Sequence, residues 1–103
     1  MADYSADISR YTSNVNKNAI TSIVKFCGIA LRGKDSQWVS TTDSKEVNRV
    51  VHGFCRKKLG LNPKVAEAAV HAVGEKMKHD TSKHRVTVYY LVAEATKTLP
   101  KIS

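Results

Sequence analysis

The stretch Arg85-Val86-Thr87-Val88-Tyr89-Tyr90-Leu91-Val92 decides the fold class. Valine, threonine and tyrosine are strand formers, so RVTVYYLV taken alone is compatible with a buried strand. A lone strand would have no partner in this chain. The apolar spacing Val88, Leu91, Val92, Ala95, Leu99 also runs past the stretch with the period of a helix. Length settles the matter, and a helix is predicted at about 82–98. Val86, Tyr90 and Ala93 form a second apolar row opposite the first. A helix apolar all round belongs at the centre of a bundle; a homodimer pairing this second row across a two-fold is the alternative.

Upstream, the same spacing recurs. Ile20, Ile23, Val24, Cys27 and Leu31 repeat it, as do Ala66, Ala69, Val70, Val73 and Met77, and Val47, Val50, Val51 and Phe54 repeat its first four places. Each set makes one buried stripe at helical pitch. Asn16 suits a helix N-cap, Asp43 with Glu46 suits a capping box, and Asn62-Pro63 suits a cap followed by proline in the first turn. Gly60 suits a left-handed helix end, and Asp80, Thr81 and Ser82 are candidate caps for the last helix. The fold class is therefore all-α: a compact bundle of four main helices at about 17–31, 44–58, 63–78 and 82–98, plus a short N-terminal helix near 3–11. That short helix places Tyr4, Ile8 and Tyr11 on one side.

A chain of 103 residues has room for one core, so residues 1–103 are read as a single domain. Met1–Arg10 contains Asp3 and Asp7 and no apolar run, unlike a secretory signal. No segment approaches the roughly 20 apolar residues of a spanning helix. The expected location is the cytoplasm, where Cys27 and Cys55 would remain packed thiols.

Seventeen Lys and Arg against nine Asp and Glu leave a net charge of +8. Positions 21–60 hold eight of the basic residues and three of the acidic ones, so the surplus is concentrated mid-chain. On the helix at 44–58, Lys45, Arg49, His52 and Arg56 fall within about 60° of one another, opposite the apolar stripe. Lys57 and Lys58 add charge where it complements the helix dipole. Such a row is either a solvated face or a strip for phosphates or carboxylates. A second cluster, Lys76, Lys78, His79, Asp80, Lys83, His84 and Arg85, spans the connection between the last two helices. There Lys83 and Arg85, with free N–H groups at the helix start, are candidate anion ligands; the plainer reading is a polar turn capped by Asp80.

No catalytic constellation is present: the chain lacks a glycine-rich phosphate loop, G-x-S-x-G and H-E-x-x-H. His52 and Cys55, three apart, with Cys27 from a neighbouring helix, fall short of the four-ligand pattern of zinc sites, and no metal or cofactor is expected. Gly28, in mid-helix, suggests a close helix crossing, and Trp38 suggests a lid over the core.

Several runs carry a resemblance over nearly the whole chain: Ile23-Val24-Lys25, Gly28-Ile29-Ala30-Leu31-Arg32, Lys57-Lys58-Leu59-Gly60-Leu61, Glu75-Lys76-Met77-Lys78 with Asp80, and, most specific, Arg85 to Leu91 with Ala93-Glu94. By these the chain resembles a family of small bacterial proteins known as a domain of unknown function. The resemblance implies a compact helical protein and transfers no catalytic residue. The function expected is a non-enzymatic binding module whose basic residues Lys45, Arg49, His52, Arg56, Lys83 and Arg85 engage an anionic macromolecule, either a nucleic-acid backbone or an acidic protein. A small homodimeric structural protein and a metal protein or enzyme, the latter built on His79, Asp80 and His84 or on His52 and Cys55, are the alternatives.

Overall fold

The computed structural model describes residues 4–33 and 36–103. Five α-helices run in the order α1 (Tyr4–Ile8), α2 (Lys17–Cys27), α3 (Ser44–Val50), α4 (Pro63–Lys76) and α5 (Arg85–Ala95), with no strand among the described residues. The first position of the expected N-terminal helix, residue 3, lies outside them. Tight 3-10 turns follow α2 at Gly28–Arg32 and α5 at Leu99–Lys101, and α3 passes directly into a π-helical turn at Val51–Cys55.

The doubtful stretch is a helix and lies at the centre. Every residue of α5 from Arg85 to Ala93 is buried, with Val86, Val88, Val92 and Ala93 wholly inaccessible. Both apolar rows are used inside one chain. Tyr90 is 1% exposed, which removes the Val86, Tyr90, Ala93 row as a dimer surface. α2 contributes Ala19 and Ile23 to the core around it, α3 and the π turn contribute Val47, Val50, Val51, Phe54 and Cys55, and α4 contributes Ala66, Val70 and Val73. Ile8 closes the core from α1, with Tyr4 and Tyr11 packed beside it.

The punctuation was mostly readable. Asn16 accepts a hydrogen bond from the Ala19 amide at 3.1 Å, Asp43 one from Lys45 at 2.9 Å and Asn62 one from Lys64 at 2.8 Å, satisfying first-turn donors as caps do. Gly60 adopts φ +64°, the left-handed conformation expected of it. Glu46 does not complete a capping box. Its carboxylate is drawn instead to Arg85, 3.4 Å away, and to Arg49, 3.8 Å away.

Two further expectations change. Gly28 marks no helix crossing, because a Cβ there would meet nothing within 4 Å. It ends α2 at φ +49° and ψ −119°, a conformation open to glycine and strained for other residues, and the chain turns there. The stripe through Leu31 is therefore broken at Gly28. Nor does Asp80 cap α5, whose N-cap is His84 without any side-chain bond. The leading donor of the helix, the Arg85 amide, goes to the Gln37 carbonyl at 2.8 Å, while the Val39 amide reaches Lys83 at 2.9 Å, a single antiparallel bridge at Trp38 and His84.

Asp80 ties two segments together instead. It accepts from Arg10 at 2.7 Å and from the Tyr11 hydroxyl, fastening the chain after α1 to the α4–α5 connection. The Arg10 and Tyr11 bonds hold its carboxyl below the ordinary value of 3.8. A carboxyl whose proton affinity drops on folding stabilises the fold above its unfolded value and loses that contribution as pH falls through the folded one. Urea midpoints should therefore decline on acidification below about pH 4. Asp80→Asn should start lower at pH 7 and show less of that decline; an unchanged acid slope would mean that other carboxylates govern it.

Candidate functional site

Helix α3 and the π turn carry the predicted basic row, and the wider turn reshapes it. A π turn spends more residues per revolution than an α turn, so positions after it are set back around the axis. Lys45 and Arg49 precede the turn, His52 is within it, and Arg56, Lys57 and Lys58 follow it. All six side chains are exposed. Arg49 has one long ion pair, to Glu46 at 3.8 Å with its own side chain 66% exposed, and Lys58 lies over the Phe26 ring.

The second cluster does not assemble an anion site at the surface. Arg85, expected there, is 3% exposed. Its Nε donates to the Ser36 carbonyl at 2.6 Å, Nη1 to the Tyr89 hydroxyl at 2.9 Å, and Nη2 to the Trp38 carbonyl and Glu46. Burial works against the charge, but Tyr89 and Glu46 outweigh it and the guanidinium holds its proton more tightly than usual. The reason lies in the sequence position: at the first place of a fully buried helix, a long cation is directed inward, onto the carbonyls of the 36–38 loop. Lys83 is likewise occupied, its Nζ donating to the Asp80 carbonyl at 2.8 Å. Trp38 packs its ring against His84 at 4.5 Å, covering the start of α5 as a lid would.

Two concavities lie on either side of the Gly28–Arg32 turn. One, of about 220 Å³, is walled by Phe26, Cys27 and Ala30, by Gly53 and Phe54 of the π turn, and by Tyr89, with Arg49 and Arg85 also lining it. Phe54 stacks on Tyr89 with ring centroids 4.4 Å apart and tilts against Phe26 at 5.5 Å. The other, about 990 Å³, runs along α1 and α2 past Tyr4, Ile20, Val24 and Leu31, with Lys25 and Arg32 also lining it. Beside it Ile29 is 82% exposed. Part of the α2 stripe thus faces a groove. Sequence patterning passed over both concavities, although Gly53 inside a helical stretch was a visible signal for the first.

Neither thiol is poised for chemistry at neutral pH. Burial pushes Cys27 and Cys55 up to about 11, with Arg85 only partly countering the effect at Cys27. Alkylation of Cys27 by iodoacetamide should accordingly be slow at pH 7 and keep accelerating up to about pH 11. Mass spectrometry of the labelled chain checks this, and a rate that levels off near pH 8 would contradict it. Among the described residues no group of three or more His, Cys, Asp or Glu is placed to hold a metal ion. None of their helices is long and apolar enough to cross a membrane.

These features define a small all-helical protein built around one buried helix, with an unevenly basic surface. Residues 3–100 match the model of a family described as protein of unknown function (DUF2853), and the chain belongs to that family. No curated protein matches the chain significantly.

Proposed function

We propose that the chain is a single-domain, non-enzymatic interaction module of the cytoplasm, engaging an anionic macromolecule through the basic face of α3 and the π turn. One observation supports this reading. Lys45, Arg49, His52, Arg56 and Lys57 are all exposed, whereas the two carboxylates of the same segment are committed, Asp43 to its cap and Glu46 to Arg85. A net positive field of this kind attracts phosphate or carboxylate and gives salt-sensitive association. Arg85, enclosed by its own partners, and Lys83, bonded to the Asp80 carbonyl, are left out of the contact surface.

The test is fluorescence polarisation with labelled single-stranded RNA, double-stranded DNA and an oligoglutamate peptide at about 50 and about 200 mM salt. Binding to at least one probe is expected, falling steeply with salt. The double variant Arg49→Glu/Arg56→Glu should lose roughly tenfold or more in affinity. The reading is withdrawn if no probe binds at the lower salt, or if charge reversal changes nothing. The preferred probe tells nucleic acid from acidic protein.

A further inference from the structure

Gly53 occupies a helical position without needing to be glycine for backbone reasons, since its φ is not positive. It has no steric reason either: a Cβ built there meets nothing within 4 Å. Alanine would favour the helix, so what the glycine provides is the vacant space itself, and that space is the small concavity beside the π turn. π turns recur at functional sites, where they re-aim the residues around them.

The charge around this concavity is unbalanced. Two guanidiniums line it, Arg49 and Arg85, and both reach the same carboxylate, Glu46. Among the described residues one positive charge is therefore in excess. Among the described residues, Ser36, Tyr89, Trp38 and Glu46 use four of the five N–H donors of Arg85, which leaves one on Nη1. Much of the remaining wall is aromatic or aliphatic, from Phe26, Ala30 and Phe54, with Cys27 and Ser36 beside them. An apolar cavity of about 150 Å³ holds benzene, so about 220 Å³ has room for one ring and a small polar group.

We propose that this concavity binds a small aromatic monocarboxylate, its ring against the wall formed by Phe26, Ala30 and Phe54 and its carboxylate on Arg49 and Arg85. A carboxylate offers Cys27 no electrophile, so binding is reversible. The concavity shares Arg49 with the macromolecular contact proposed above, but it is read separately, with a small probe at resonances around Gly53, so either can fail without the other.

The experiment is titration of the isotopically labelled full chain with benzoate, followed by amide and methyl NMR, with benzamide as the neutral analogue of the same shape. Saturable shifts are expected at Ala30, Gly53, Phe54 and Tyr89, with benzamide about tenfold weaker, the loss of roughly one ion pair. Gly53→Leu, which fills the space, should abolish the shifts, and Gly53→Ala should weaken them. Retained spectral dispersion in both variants would show that the fold persists. Arg49→Gln should weaken benzoate without affecting benzamide. Shifts that do not saturate or that spread over the surface overturn the proposal, as do equal affinities for the two probes or benzoate binding undiminished in Gly53→Leu.

Discussion

Arg85→Leu is expected to lower unfolding free energy by about 3 kcal/mol, the lower end for breaking a buried ion pair. The loss comes from what is left behind more than from the pair itself. Without the guanidinium, the Ser36 and Trp38 carbonyls and the Tyr89 hydroxyl each lose a donor, and Glu46 keeps only its long contact to Arg49. The cost is moderated because Glu46 is 23% exposed and regains some water. Arg85→Lys should recover less than half, since one ammonium cannot reproduce a planar fork serving four acceptors. Urea denaturation at neutral pH measures both. If leucine is tolerated within about 1 kcal/mol, the arginine is not what holds the 36–38 loop to α5.

Tyr90→Ala is the second large effect, about 3–5 kcal/mol as for other aromatic truncations in a packed core. Tyr90 is among the largest fully buried side chains, and its hydroxyl accepts from the Asn16 amide at 2.8 Å, just where α2 begins. Tyr90→Phe removes only that acceptor and should cost about 1 kcal/mol. Because the row containing Tyr90 is buried within a single chain, thermal midpoints of the parent and of both variants should not move with protein concentration. A midpoint that rises on concentrating the sample would place this surface between chains after all.

The helices were legible because their signals are local. The stripes at 63–78 and 82–98 and the caps at Asn16, Asp43 and Asn62 each depend on residues within a turn or two of one another. What was not legible depends on contacts between segments distant in the chain. Arg85 read as a surface cation because its neighbours in sequence are Lys83 and His84; its actual acceptors lie 39 to 49 positions away, except for Tyr89. Asp80 likewise has the composition of a cap, but partners near 70 positions upstream claim it. The π turn was invisible because apolar periodicity at 47, 50, 51 and 54 suits both an α-helix and a helix that widens after position 50. The candidate site was therefore half readable: the exposed cations were, and the concavity beside Gly53 was not.

The burial of α5 also imposes an order on synthesis. The ribosome delivers α1, α2, α3 and α4 before the helix at the centre of the core, so the core that Ile23, Phe54 and Val70 share stays incomplete until position 95 or so has emerged. A chain made only through α4 leaves part of those apolar faces open, and exposed apolar surface of this kind favours aggregation. Burial of that surface thus waits on α5, the helix enclosed on every side.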